Sequence, residues 1–206
     1  STIHVYKNEN HELDELSPLE ENNTYSSSKI KAEKGLKDLS KKEKTKFKIL
    51  RLSNVFGFSE NRNSKCWDLF INNLIKNAFL EGKLTIKSNS SINRDFLPMN
   101  VLNLLIENQL KDNSGKDFFK IYNCISGKTL TLLNIANLIQ KRILKNKNKY
   151  LDIFCQSKSF DLPEKKYKSI YTQPKFDLEI EFIKEIDEII HFCQKEFLRR
   201  KTVSMI

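Results

Sequence analysis

Between Tyr25 and Gly57 the chain changes its period, and that change most limits what it can fold into. Tyr25 to about Leu39 is rich in helix formers and holds no Pro. Phe47–Leu52 then alternates and runs apolar, as a strand buried on at least one face does. The switch recurs downstream. Trp67–Leu80 places Leu69, Phe70, Asn73, Leu74 and Asn77 at helical spacing and stops at Gly82, where a glycine often ends a helix. Leu84–Lys87 and Asp95–Leu97 read as short strands and Val101–Leu110 as an apolar helix. Phe118–Cys124 reads as a strand closed by a turn at Ser126–Gly127. An amphipathic helix follows over Leu130–Leu144, then a strand over Tyr150–Phe154 and a long amphipathic helix over Ile180–Leu198. Ser1–Tyr6 reads as the tail of a strand, Lys7–Thr24 as a loop, and Cys155–Lys175 as irregular. This alternation argues an α/β architecture.

The first helix carries a chemical signal. Tyr25 and Lys29 are four residues apart and share one helical face. A tyrosine with a pKa of about 10 is too high to serve as a base near neutrality. An ammonium alongside favours the phenolate. Such a pair can move a proton on or off an alcohol or sugar hydroxyl, and Thr2 offers a hydroxyl to the same oxygen. The spacing occurs again at Tyr171–Lys175. There Pro174 breaks the helix that would give a shared face, so that match is a decoy.

Composition narrows the partners. The net charge is +10, carried mostly by scattered Lys, with arginine only at Arg51, Arg62, Arg94, Arg142, Arg199 and Arg200. Nucleic-acid readers lean on Arg for bidentate contacts, so the charge reads as a solvated surface. Its densest run is Lys41–Lys48. Cys66, Cys124, Cys155 and Cys193 have no ligand or disulfide spacing and suit a reducing, cytoplasmic setting. His4, His11 and His191 form no metal pattern. No apolar run reaches membrane-spanning length. Trp67 and the phenylalanines read as core.

Five motifs together resemble the extended short-chain dehydrogenase/reductases, in particular the NAD-dependent nucleotide-sugar epimerase/dehydratase family. Ser1-Thr-Ile-His-Val-Tyr6 is similar to the family's Ser-Ser/Thr-x-x-Val-Tyr-Gly strand end, with Lys7 in the place of its glycine. Tyr25–Lys29 matches Tyr-x-x-x-Lys. Arg51-Leu-Ser-Asn-Val-Phe-Gly57 resembles Arg-x-x-Asn-x-Tyr-Gly. Arg94-Asp-Phe-Leu-Pro-Met-Asn100 resembles Arg-Asp-Phe-x-x-Val-x-Asp, with the last acidic residue displaced. Tyr122-Asn-Cys-Ile-Ser-Gly127 resembles Tyr-Asn-x-Gly-x-Gly. They follow the family's order over about the first 130 residues.

The resemblance implies the C-terminal portion of a Rossmann-type parallel sheet with a smaller α/β substrate-binding lobe. Residues 1–57 are then the remnant of the dinucleotide-binding domain. Residues 58–206 are mainly the substrate lobe, with 118–127 returning to the Rossmann sheet. It implies Thr2, Tyr25 and Lys29 as catalytic residues, with Tyr25 and Lys29 also on the cofactor. Asn54, Asn72 and Arg94 become substrate-binding, with Arg94 on a diphosphate. The cofactor is NAD or NADP, the substrate a nucleotide sugar, and the complete enzyme a homodimer; no metal, membrane or nucleic acid is implied. Family 4,6-dehydratases carry an acidic pair after the position of Thr2, where this chain has Ile3-His4, so an epimerase or ketoreductase is expected. The five glycines are too far apart to form the glycine-rich turn that holds a pyrophosphate. That leads to the expectation of an N-terminally truncated chain, inactive alone. A non-catalytic remnant needing a partner chain and a basic nucleic-acid module stand as alternatives.

Overall fold

A computed structural model describes residues 1–7, 12–43, 45–112, 117–160 and 163–198. His11, Lys44 of the basic run, Gly115 and parts of the two segments read as loop or irregular lie outside these residues. So do Arg199 and Arg200.

In chain order the elements are β1 (Glu12–Leu13), α1 (Thr24–Glu43), β2 (Phe47–Leu52), β3 (Asn54–Phe56), α2 (Phe70–Glu81), β4 (Leu84–Ile86), β5 (Asn93–Pro98), α3 (Met99–Lys111), β6 (Phe119–Cys124), β7 (Thr129–Thr131), α4 (Leu132–Lys147), β8 (Ile153–Cys155), β9 (Lys166–Tyr167) and α5 (Leu178–Cys193). The fold is α/β with mainly parallel pairing. β2 and β6 run parallel in register from Phe47↔Phe119 to Leu52↔Cys124. On the other side of β2, Thr2 bridges Leu52 in parallel and Leu52 N donates to Ser1 O at 3.2 Å. The order is therefore the Ser1–Thr2 segment, β2, β6. A second sheet sets β3 parallel to β5 and β5 antiparallel to β7. β4–β8 and β1–β9 are parallel pairs. Parallel neighbours need long crossovers, and here helices supply them.

The main core lies between α2, α4 and α5, where Ile75, Ile135, Ile139, Ile186 and Ile189 are fully buried. Burying an aliphatic side chain is worth about 1.5–3 kcal/mol, so this face holds α2, α4 and α5 together. A smaller cluster of Leu97, Val101, Leu102, Leu105 and Cys124 seats α3 against β5 and β6. Trp67 is buried, stacks on Phe192 and meets Phe197 edge-on, as the sequence reading of these aromatics as core expects.

Three local expectations are corrected. Ser1–Tyr6 is not a continuous strand tail: after the bridge at Thr2, Ile3–Val5 forms a 3₁₀ turn capped by Thr2. The helix expected from Trp67 begins at Phe70, because Lys65–Asp68 forms a separate 3₁₀ turn capped by Ser64. Thr129–Thr131 is a strand rather than the start of α4; it pairs with Asn93–Asp95, and Thr131 then opens α4 as a capping box with Asn134. The decoy segment Tyr171–Lys175 forms no helix.

Candidate active site

Four of the six residues singled out in the sequence meet in one hollow of about 320 Å³, lined among others by Thr2, Tyr25, Asn54 and Arg94. It opens beyond the carboxyl end of β2 and beside the first turns of α1 and α2. Open parallel sheets bind ligands at such a place. Its apolar wall is Leu52, Val55, Phe56, Leu69, Phe70 and Phe96.

Each polar group is brought there by a local device. Asn23 and Ser26 cap the start of α1 reciprocally. Ser26 N donates to Asn23 Oδ1 at 2.9 Å, and Asn23 N donates to Ser26 Oγ at 3.2 Å. The cap fixes where Tyr25 leaves the helix, with its side chain half exposed at the cleft. Lys29 does not line the hollow. Its ammonium lies 5.5 Å from the Tyr25 ring centroid, on the same helical face. Thr2 Oγ1 accepts from His4 N at 3.3 Å, which leaves the Thr2 hydroxyl proton available to donate.

Asn54 donates from Nδ2 to Asp95 O at 2.8 Å, tying β3 to β5 beside Arg94. Arg94 and Asp95 are neighbours but not partners. The Asp95 carboxylate is 1% exposed and holds the turn after β6, accepting from Ser126 N, Gly127 N and Ser126 Oγ at 2.9, 2.9 and 3.0 Å. Burial pushes that carboxyl above the usual range, although these bonds pull the other way. Among the described residues, no carboxylate lies within ion-pairing distance of Arg94. Burial draws its guanidinium below the ordinary range. A half-buried, unneutralised guanidinium at the mouth of a hollow suits an anion.

Asn72 is not brought to the cleft. Its side chain is fully buried, and Nδ2 donates to Gly57 O at 2.7 Å, so it anchors the loop after β3. Conversely, the sequence reading passes over His4, which lines the hollow as well. No periodicity signals it, since the 3₁₀ turn over Ile3–Val5 and not an extended strand brings His4 to the hollow. Burial, with Arg94 and Lys165 nearby, holds its imidazole below the usual histidine range, while the neighbouring Asn54 side chain pulls the other way. Beyond His4 and Tyr25 a second hollow of about 590 Å³ continues, lined also by Asn22, Asn23, Lys165 and Tyr167.

The model of the NAD dependent epimerase/dehydratase family matches residues 1–100. Over these residues the chain is similar to that family. The match takes in the segments that carry Thr2, Tyr25, Asn54 and Arg94. No curated protein matches the chain in sequence. Solved structures share its fold. MoeE5 in complex with UDP-glucose and NAD is 15% identical with a TM-score of 0.70, covering 96% of this chain and 64% of its own. UDP-glucuronic acid 4-epimerase from Bacillus cereus in complex with NAD is 18% identical with a TM-score of 0.70, covering 93% and 60%. dTDP-glucose 4,6-dehydratase from Bacillus anthracis in complex with NAD is 21% identical with a TM-score of 0.68, covering 95% and 60%. The chain thus spans less than two thirds of the length of each. No described helix is long and apolar enough to cross a membrane, and no group of metal-ligating side chains occurs among the described residues.

Proposed function

We propose that this chain is the catalytic and substrate-binding part of an NAD-dependent nucleotide-sugar epimerase or ketoreductase. The observation that carries the reading is the single hollow shared by Thr2, Tyr25, Asn54 and Arg94, which come from four separate elements. Residues 1–57 with the returning strand 118–127 form the dinucleotide-binding remnant, and the rest of 58–206 forms the substrate lobe. A homodimeric, cytoplasmic complete enzyme belongs to the same reading.

Tyr25 takes the proton from a sugar hydroxyl oxygen as its carbon is oxidised and returns it on reduction. Thr2 donates to that oxygen and keeps it in line. Arg94 grips the diphosphate, and Asn54 holds the strand that carries it. NAD, when bound, supplies the hydride acceptor. At the nicotinamide end, Lys29, whose ammonium lies over the Tyr25 ring, would hold ribose hydroxyls. Chain 1–206 offers no glycine-rich turn for the pyrophosphate.

Calorimetric titration with UDP-glucose tests the reading. We expect saturable binding, weakened about 10- to 100-fold by Arg94→Ala, the loss of a charge-assisted bond, and little changed by Tyr25→Phe. In an NAD-loaded enzyme that carries a glycine-rich strand-turn-helix upstream of these residues, Tyr25→Phe lowers turnover about 10²- to 10⁴-fold. Absence of binding, or binding indifferent to Arg94, overturns the proposal.

A further inference from the structure

We propose that the second hollow takes a carboxylate on the sugar ring, so that the substrate is a nucleotide-linked uronic acid and Lys165 is the residue that selects it. This rests on the nucleotide-sugar reading and narrows it. The placement comes first. His4 and Tyr25 line both hollows, Arg94 lines the first alone and Lys165 the second alone. The cleft therefore carries a cation at each end with Tyr25 between them. A ligand with its diphosphate on Arg94 and its reacting hydroxyl on Tyr25 sends the far side of its sugar ring toward Lys165. No carboxylate lines either hollow among the described residues.

The backbone sets which lysine faces the ligand. β9 pairs with β1 through Lys166↔Glu12 and Tyr167↔Leu13. Side chains alternate along a strand, and here Lys165 and Tyr167 line the hollow while Lys166 and Lys168 are exposed. Those two meet acidic neighbours: Lys166 Nζ lies 3.6 Å from Glu164 Oε2 and Lys168 Nζ lies 2.7 Å from Glu12 Oε2. Lys165 is half-buried, and burial draws its ammonium below the ordinary range. An ammonium has three donors, so a bond to a neighbour leaves others for a ligand. The rest of the wall suits an anion. Asn22 and Asn23 line it, and the Asn23 amide oxygen is taken by Ser26 N at 2.9 Å, which leaves its amide N–H groups to donate. α1 begins here at Thr24 with no acidic side chain in its first turn, so its positive end adds to the same potential. A carboxylate collects charge-assisted bonds from these groups that a neutral hydroxymethyl does not.

Calorimetry with UDP-glucuronic acid, its methyl ester and UDP-glucose tests this. The acid and the ester share a frame and differ in charge. We expect the acid to bind about tenfold more tightly than either neutral-sugar ligand. Lys165→Met should bring the acid and the ester together, and Lys165→Arg, which keeps a cation, should retain part of the gap. Lys166→Met should leave the gap intact, which separates a built site from the general attraction of a chain with net charge +10. Arg94→Ala should weaken all three ligands alike, since it grips the part they share. An acid that binds no more tightly than its ester overturns the proposal, and so does a gap that survives Lys165→Met or is lost in Lys166→Met. Those outcomes leave the nucleotide-sugar reading standing; no binding of any of the three ligands removes both.

Discussion

The guanidinium of Arg51 is 2% exposed and donates to Glu33, Tyr6 and the Glu15 carbonyl. Nε and Nη2 donate to the two oxygens of Glu33 at 3.0 and 2.6 Å, and Nη1 donates to Tyr6 Oη at 3.0 Å. Arg51→Met strands the Glu33 carboxylate, itself 6% exposed, without its cation. Removing one partner of a buried pair costs about 3–5 kcal/mol, whereas removing both is much milder. Urea unfolding should place Arg51→Met that far below wild type and the Arg51→Met/Glu33→Leu double variant well above it; a single variant within 1 kcal/mol of wild type would count against the argument. Glu185 gives a pH test. It is 4% exposed, and burial pushes its carboxyl above the usual range against the pull of bonds from Phe58 N and Asn100 N. A raised folded-state value means the native state holds its proton longer than the unfolded chain. Its contribution is present in full below the unfolded value of about 4.3 and is lost as pH rises through the folded one. The stability difference between wild type and Glu185→Gln should therefore shrink with rising pH over that interval and then level off. At this scale the sequence made Tyr25 and Arg94 visible through their motif spacing. Asn72 was misleading, because helical spacing does not say whether an amide faces a ligand or a neighbouring carbonyl.

Elements were legible where their own residues decide them. α2 stops at Gly82, which takes the left-handed conformation with φ of 76° and donates to Ala78 O. β2 and β6 are apolar runs long enough to declare themselves. β7, β9 and the two 3₁₀ turns were not, since three or so residues carry no period; what makes them is pairing and capping by distant or later segments. Gly57 shows the same dependence on distant contacts. It follows β3, and a Cβ there would sit 2.5 Å from Met99 Cβ and 2.8 Å from Glu185 Oε1. The glycine is required by the closeness of α3 and α5 and not by a turn. Gly57→Ala should cost about 1–3 kcal/mol through overpacking, read as a lowered melting temperature. A neutral result would mean that α5 shifts away freely.

For the whole molecule, the α/β class followed from the alternation of strand and helix periods. The pairing of β4 with β8 and of β1 with β9 did not, because register between distant short strands has no signature in either one. The distribution of glycine gives the remaining prediction. Gly35, Gly57, Gly82, Gly115 and Gly127 cannot form a pyrophosphate loop together. Chain 1–206 should therefore bind NAD more weakly than micromolar in calorimetry, while a protein that adds a glycine-rich strand-turn-helix upstream should bind it tightly. Micromolar binding by the 206 residues alone would require another cofactor site. The register of β2 against β6 also sets a clock. Phe47 waits for Phe119, so about 70 residues must leave the ribosome before the central pair can close, some 4 to 14 s at ordinary elongation rates. During that interval one edge of β2 stays unsatisfied while α1 and α2 form from local contacts. The nascent chain is therefore most exposed to chaperones and to its own neighbours between the emergence of Leu52 and that of Phe119, and slow codons placed there would lengthen that exposure.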